Sequence, residues 1–307
     1  MEDPYEDLEI DIVYSDWKAL NSVNIDFNGI TVKFSCNDEE IIRKMKKFYN
    51  ITENNNKYDG EVIYITQKTD VRKYLAPYDA KEHRLIEFGI PDFGYAKSLV
   101  LGVLGDIQQE RKEYALHAGV AGNTAYIGPT LAGKSTHSML EAKSGSRFLT
   151  DDWCYFKDNI AYRVEDNIMI SKDFIDFLNI NKKIIPEKSF AGKETKRLKY
   201  LFKINDIFED ADSCQKIDNF VLLFPKRTNY NIKEIDEEKF VSYVLRSTYH
   251  IPFNYFDRKD NNNEKVKERV KFWKKRYNNA DNVFVVSTRN LNPIKTHELI
   301  SKLLISV

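Results

Sequence analysis

Residues 128–136 read Gly128-Pro129-Thr130-Leu131-Ala132-Gly133-Lys134-Ser135-Thr136, which has the form G-x-x-x-x-G-K-[ST] of a phosphate-binding loop. Such a loop presents backbone N–H groups to a polyphosphate, and this requires glycine where a side chain would block the approach or where φ is positive. In the motif, Lys134 places a positive charge on the β- and γ-phosphates, and the Ser135 hydroxyl is positioned to ligate Mg²⁺. Since only 12 of the 307 residues are glycine, chance is a poor explanation for the match.

The residues on either side of the loop favour the same interpretation. The run 125–127 is short, apolar and β-prone, and residues 134–142 predict a helix that ends near Gly145. Strand, glycine loop and helix N-terminus is the order that aims the loop amides and the helix dipole at phosphates. The alternative is an ordinary glycine-containing turn before a helix. We expect all nine residues of the loop to contact a nucleotide.

Two adjacent carboxylates follow the loop at a fitting distance. Asp151 and Asp152 come after the short apolar run 148–150, and they lie 17 and 18 residues after Lys134. A helix of about three turns and a short return strand use about that length. We therefore expect both carboxylates near the loop, where one can hold the metal and the other can accept a proton from an attacking hydroxyl. Without the loop, a solvated turn would be the simpler interpretation of the pair.

These motifs together resemble the core of bacterial HPr kinase/phosphorylase and its wider kinase-like relatives. The resemblance rests on 116–120 (Leu-His-Ala-Gly-Val), on the loop and on 150–152 (Thr-Asp-Asp), and it covers residues 114–156. It implies an α/β fold with the mixed-sheet nucleotide-binding core shared by HPr kinase and ATP-dependent phosphoenolpyruvate carboxykinase. It also implies ATP as the phosphate donor, Asp152 as the catalytic proton acceptor, Lys134 as the loop lysine, and Ser135 and Asp151 as Mg²⁺ ligands.

Two histidines belong to the same region. His117 lies in a β-like run one strand before the loop. The resemblance implies a catalytic role in which His117 orients a carboxylate or the γ-phosphate, whereas a hydrogen-bonded core histidine is the alternative. His137 follows Lys134 by three residues, and we expect it to be a structural residue of the helix.

Other parts of the family pattern are missing. The HPr enzymes carry a downstream Glu-Ile-Arg-Gly-Leu-Gly segment, whereas residues 171–180 here contain Asp173 and Asp176 without that motif. Asp173 or Asp176 could substitute for the metal carboxylate that this segment supplies in the family, but an amphipathic helix with both carboxylates on its polar face is the interpretation we favour. Arg197 and Arg227 are candidates for the family's catalytic arginine by position only. We therefore expect a substrate other than HPr and transfer in the forward direction.

Composition sets the outer limits. Lysine plus arginine and aspartate plus glutamate both number 47, so no net field favours nucleic acid. The basic clusters 43–47 and 271–276 are interpreted as solvated helix faces. The widely spaced Cys36, Cys154 and Cys214 indicate a reducing cytoplasm. With an acidic N-terminus and without a long apolar run, the chain predicts a cytoplasmic protein with no membrane contact.

The chain divides by pattern into a small α/β module at 1–90, with possible substrate or dimer contacts, and a nucleotide-binding core at 91–307. In the first module, β-like runs at 10–14, 29–34 and 61–66 accompany a helical stretch at 39–49 and a polar loop at 52–57. In the second, we expect a helix at 93–111, a hairpin over 153–164, strands at 220–224 and 283–287, a mobile lid at 188–199 and a solvated loop at 257–265.

The function that these patterns indicate is transfer of a phosphoryl group from ATP to a hydroxyl. The acceptor could be a serine of a protein or peptide, a free amino acid or a small alcohol, and a homo-oligomer is possible. A nucleotide-controlled switch or ATPase is the main alternative. A phosphate-binding module without turnover is the weakest alternative, since a pure binder needs no second carboxylate.

Overall fold

The computed structural model describes residues 20–52, 57–66, 75–79, 81–181, 185, 186, 190, 198–225, 232–248, 263–288 and 292–305. These residues divide into two compact units, one with 20–26 and 30–103 and the other with 27–29 and 104–305. The boundary that the sequence suggested, between residues 90 and 91, precedes the long helix Phe93–Glu110, whereas the compact units divide within this helix, between residues 103 and 104. Each unit combines helices with a mixed sheet, and the prediction of an α/β fold is confirmed at that level.

The first unit has a six-stranded sheet in the order β3-β1-β2-β4-β6-β5, in which β2, β4 and β6 are parallel neighbours. Its elements are β1 (Asn21–Asp26), β2 (Thr31–Cys36), α1 (Glu39–Phe48), β3 (Ile51–Thr52), β4 (Gly60–Thr66), β5 (Leu75–Asp79), β6 (Arg84–Gly89) and the first part of α2 (Phe93–Glu110). Helix α1 begins where the Asp38 carboxylate accepts from the N–H groups of Glu40 and Ile41. The helix buries Met45 and Phe48 and leaves its basic residues outward, as expected.

The second unit has a nine-stranded sheet in the order β14-β11-β10-β7-β8-β15-β17-β16, with β9 paired to β7. Its strands are β7 (Tyr114–Ala121), β8 (Thr124–Ile127), β9 (Phe148–Thr150), β10 (Trp153–Lys157), β11 (Ile160–Arg163), β14 (Cys214–Lys216), β15 (Asn219–Phe224), β16 (Ile232–Glu234) and β17 (Asn282–Ser287). A separate pair is formed by β12 (Asn167–Ser171) and β13 (Lys199–Lys203). Strands β8, β15 and β17 are parallel neighbours, and the other pairs are antiparallel.

Helices cover both faces of this sheet because alternate residues of its central strands are apolar on both sides. In β15, Phe220 and Leu222 belong to one buried cluster, while Val221 and Leu223 belong to another. The helices are α3 (Lys134–Lys143), α4 (Lys172–Leu178), α5 (Ile204–Ile207), α6 (Glu237–Thr248), α7 (Asn263–Asn278) and α8 (Pro293–Ile305). Helices α6 and α7 contribute to the first cluster and α8 to the second. Each large side chain fully buried in this way contributes about 1.5–3 kcal/mol.

Several sequence-based predictions agree with these elements. The helices expected at 93–111 and 134–142 are α2 and α3, the hairpin is β10 and β11, and the two buried strands are β15 and β17. Asp173 and Asp176 are exposed on α4. Among the described residues, no helix is long and apolar enough to cross a membrane. The run at 10–14, most of the polar loop at 52–57, most of the lid at 188–199, Arg197 and Arg227 lie outside the described residues.

Two predictions were wrong in part. Residues 263–265 begin helix α7 instead of belonging to a solvated loop, because they form the first turn of a helix whose Trp273 packs in the core. In the basic cluster at 271–276, Arg276 is buried and not solvated. Its Nη2 donates to the Ile217 carbonyl at 2.6 Å, and its guanidinium lies 5.7 Å from the ring centroid of Phe220. These contacts replace part of the water that the cation loses, and burial still lowers the pKa of the Arg276 guanidinium.

Candidate functional site

The loop at 128–136 connects the buried strand β8 to helix α3. A side chain at Gly128 would not fit, since a Cβ there would lie 2.8 Å from both the Ala132 Cβ and the Leu223 carbonyl oxygen. Gly133 has φ of 102° and caps the helix without a side-chain hydrogen bond. The two glycines of the motif are therefore required by different causes, close packing at Gly128 and backbone conformation at Gly133.

The beginning of α3 supplies N–H groups that the helix itself does not use. The first intrahelical bond runs from the His137 N–H to the Gly133 carbonyl at 2.9 Å. The N–H groups of Lys134, Ser135 and Thr136 precede that bond, as in the first turn of any α-helix. Together with the helix dipole, they create a positive potential in front of the loop.

The apex of the loop is exposed and carries one unusual residue. Pro129, Thr130 and Leu131 are exposed, and Ala132 beneath them is buried. Leu131 is 89% exposed and has φ of 66°, a left-handed conformation that costs a residue with a Cβ about 1–2 kcal/mol. Backbone strain of this kind clusters at ligand-binding segments.

Lys134 is a buried cation in contact with the start of the loop. It is 6% exposed, and its Nζ donates to the carbonyls of Gly128 at 2.9 Å and Pro129 at 3.3 Å. Burial lowers the pKa of the Lys134 ammonium, while the nearby carboxylates of Asp152 and Asp151 act in the opposite direction. The two predicted carboxylates are therefore close enough to Lys134 to act on its charge.

Ser135 connects the same helix turn to the Asp-Asp pair. Its Oγ donates to the backbone carbonyl of Asp151 at 3.4 Å. Asp151 and Asp152 form a bend between β9 and β10, and both are half-buried. The first turn of α3 and the Asp-Asp bend thus lie side by side, which brings the predicted metal ligands Ser135 and Asp151 together.

Close packing of α3 against β7 produces this proximity. A Cβ at Gly119 in β7 would lie 2.7 Å from both the Lys134 carbonyl oxygen and the Ser138 Oγ. Only a residue without a side chain allows the first turn of α3 to approach the strand this closely. Gly119 belongs to the motif at 116–120, but the sequence alone does not explain why a glycine stands there. The close approach that requires it involves residues distant in the chain.

His117 lies beside Asp152. Its Nε2 is 2.9 Å from Asp152 Oδ1, and the His117 side chain is 9% exposed, whereas that of Asp152 is 32% exposed. The ring of Trp153 stacks on the imidazole, with centroids 5.8 Å apart and planes 8° apart. A buried imidazole held in this way orients the carboxylate that it contacts, and Asp152 keeps a face accessible to solvent. Sequence reasoning did not assign Trp153 to the site.

His137 has the structural position that the sequence predicts for it. It is 2% exposed in α3, and its ring stacks on Tyr126 with centroids 5.7 Å apart. Burial, with a smaller effect from neighbouring His297, lowers the pKa of His137 to about 3. The imidazole is therefore neutral near neutral pH, and it packs behind the loop.

No protein-family model matches the chain. No curated protein matches it either. The resemblance to HPr kinase-like proteins stays a prediction from the motifs of residues 114–156.

Proposed function

We propose that this protein is a Mg-ATP-dependent phosphotransferase that transfers the γ-phosphoryl group to a hydroxyl, in the manner of HPr kinase-like serine kinases. One observation carries the proposal: a buried lysine at the start of a helix, a serine hydroxyl and two adjacent aspartates lie within one small region. Phosphoryl transfer needs mainly positioning and charge neutralisation, and these residues provide both.

The loop fits a triphosphate in three respects. The close packing around Gly128 leaves backbone where a side chain would stand, and the first turn of α3 has N–H groups outside the helix hydrogen-bond pattern. Lys134 uses two of its three N–H donors on loop carbonyls. From this position the Lys134 ammonium would also donate to phosphate oxygens. The negative charge of the phosphates would then offset the cost of burying the ammonium, which the free protein bears.

A magnesium ion fits the donors beside the loop, since it prefers oxygen ligands and a few carboxylates. Ser135 Oγ and the carboxylate of Asp151 would hold it, and the ion when bound would supply positive charge to the phosphates. Because Ser135 already contacts the backbone of Asp151, the two ligands belong to one preorganised unit.

Asp152 is the group placed to accept the proton of the attacking hydroxyl. Its carboxylate is partly exposed and held by His117 on one side, which leaves the exposed part for the acceptor. His117 acts as a positioning residue for this carboxylate, and it also limits the directions in which the acceptor hydroxyl can approach.

The acceptor is most simply a serine of a protein or peptide other than HPr, with free amino acids and small alcohols as the other candidates. The family segment associated with the phosphorylase reaction is absent after residue 156, and α4 with its exposed Asp173 and Asp176 occupies that part of the chain. The proposal is therefore transfer in the forward direction.

The proposal is tested by incubating the purified protein with γ-labelled Mg-ATP and a panel of acceptors: HPr, seryl peptides, free L-serine and small alcohols. Transfer to any hydroxyl that Asp152→Asn abolishes supports the proposal. Phosphate release to water alone, equal in the presence and absence of every acceptor, would favour the ATPase alternative. Absence of Mg-ATP binding by calorimetry would reject both.

A further inference from the structure

The orientation of Asp152 is not what a regular strand would produce. Along β7, His117 pairs with Trp153 and Val120 pairs with Thr150. By this register Asp152 lies opposite Ala118, and the Ala118 N–H donates to the Asp152 carbonyl at 2.9 Å. Side chains of directly paired residues share one face of a sheet.

Ala118 faces the apolar cluster that also contains Leu116. In a regular strand, the carboxylate of Asp152 would point into that cluster, away from His117, whose side chain is on the opposite face. The observed distance of 2.9 Å between Asp152 Oδ1 and His117 Nε2 therefore requires the departure from strand geometry seen at 151–152.

One buried hydroxyl holds that departure in place. Thr150 Oγ1 accepts from the Asp152 N–H at 3.3 Å and donates to the Trp153 carbonyl at 3.2 Å. Thr150 is 1% exposed. The hydroxyl thus links the backbone on both sides of the Asp152 side chain, which is how serine and threonine stabilise turns. Valine has the same shape but can form neither bond.

We propose that Thr150 is a positioning residue for phosphoryl transfer, because its hydroxyl bridge turns the Asp152 carboxylate to the face of His117 and the loop. This inference rests on the proposed function for its kinetic consequence, but its structural consequence stands independently of any activity.

The structural test compares crystal structures of the wild-type protein and Thr150→Val. The expected result is a His117 Nε2 to Asp152 Oδ1 distance near 2.9 Å in the wild type and beyond hydrogen-bond reach, more than about 3.5 Å, in the variant. An unchanged distance in Thr150→Val would overturn the inference. If Thr150→Val does not fold, the structures of Thr150→Ser and Thr150→Cys are compared instead. Serine and cysteine differ only in oxygen and sulfur, and a thiol is a weak hydrogen-bonding group.

The kinetic test uses γ-labelled Mg-ATP with HPr, seryl peptides, free L-serine and small alcohols as acceptors. Misplacing the base predicts that kcat falls by roughly 10²-fold in Thr150→Val, with Mg-ATP affinity unchanged and kcat restored in Thr150→Ser. Thr124→Val is the matched control, because Thr124 is an equally buried strand threonine whose hydroxyl donates to Asn123.

Four variants separate the possible failures. If Asp152→Asn abolishes transfer while Thr150→Val retains it, this inference fails and the proposed function stands. If Asp152→Asn has no effect on turnover, or no turnover exists, the proposed function fails, and the crystallographic distance alone decides the role of Thr150. Equal losses in Thr150→Val and Thr124→Val, or in Thr150→Val and Thr150→Ser, would reduce Thr150 to a general core residue and overturn the inference.

Discussion

His117 Nε2 lies 2.9 Å from Asp152 Oδ1, and the imidazole is much less exposed than the carboxylate. The histidine is therefore the fixed member of the pair, and Asp152 is the member that solvent and substrate can reach. Under the proposed function, this asymmetry gives the contact with the acceptor to Asp152 and the positioning role to His117. It also predicts that His117→Asn lowers kcat without removing Mg-ATP binding.

Replacing Lys134 by alanine should weaken Mg-ATP binding by at least about tenfold, because a hydrogen bond to a charged group contributes about 1.5–3 kcal/mol. Isothermal titration calorimetry measures the effect. Lys143→Ala is the matched control, since Lys143 is an exposed lysine in the last turn of the same helix. Equal affinities of Lys134→Ala and the wild type would place the phosphate site elsewhere.

The two aspartates should have separable roles. Asp152→Asn preserves the shape of the side chain but removes the base, so transfer should fall by roughly 10²-fold or more while Mg-ATP still binds. Asp151→Asn should instead raise the Mg²⁺ concentration needed for half-maximal rate. Magnesium titrations of both variants check this. If the two phenotypes are exchanged, the roles of Asp151 and Asp152 must be exchanged. If neither variant differs from the wild type, the catalytic site does not include these two residues.

Gly119→Ala should disturb the start of α3. The added Cβ would lie 2.7 Å from the Lys134 carbonyl oxygen, so the helix or the strand must shift, at a cost of about 1–3 kcal/mol. We expect a lower melting temperature and weaker Mg-ATP binding in the same variant. A variant with wild-type stability and affinity would show that the packing of α3 on β7 does not position Lys134.

Leu131→Gly should stabilise the free protein by about 0.5–1 kcal/mol, because glycine relieves the left-handed conformation at φ of 66° while increasing the entropy of the unfolded chain. Urea unfolding measures the change. Thr130→Gly is the control, since the neighbouring exposed Thr130 does not have positive φ. The Thr130→Gly protein should be less stable than the wild type or equally stable. Stabilisation of both variants alike would contradict the argument from strain.

The first compact unit contains a carboxyl group whose ionisation should oppose folding. Glu87 is 6% exposed, and burial raises its pKa to about 7, although the Tyr95 hydroxyl that donates to it acts in the opposite direction. Because the folded pKa exceeds the unfolded value of about 4.3, the folded state binds the proton more tightly. The contribution to stability is therefore full below about pH 4 and is lost as the pH rises through about 7.

We expect Glu87→Gln to remove this dependence and to make the protein more stable than the wild type at pH 8, by on the order of 3 kcal/mol. Urea unfolding at pH 5 and at pH 8 provides the measurement. Glu82→Gln, at an exposed position of the same unit, should leave the difference in the free energy of unfolding between pH 5 and pH 8 unchanged. A pH dependence retained in Glu87→Gln would assign it to another group.

Local sequence determined the individual elements of the site. The loop glycines, the helix that begins at Lys134 and the hairpin after Asp152 depend on residue types and spacings within a few positions, so they can be read along the chain. The same holds for the buried strands β15 and β17, whose apolar runs have few alternatives. Residues 263–265 and Arg276 were misassigned because polar residues look alike in a solvated loop, at a helix start and in a buried hydrogen-bonded position.

Tertiary structure decided how these elements meet. The register of β7 against β10 places Trp153 opposite His117, and a bend at 151–152 turns Asp152 toward the same face. The close approach at Gly119 brings Lys134 near both carboxylates. These relationships depend on which strands become neighbours and in which register, and that is chosen by the burial of whole apolar faces across the sheet. Spacing along the chain carries no record of that choice, so the site could be expected from sequence only as a set of residues and not as a geometry.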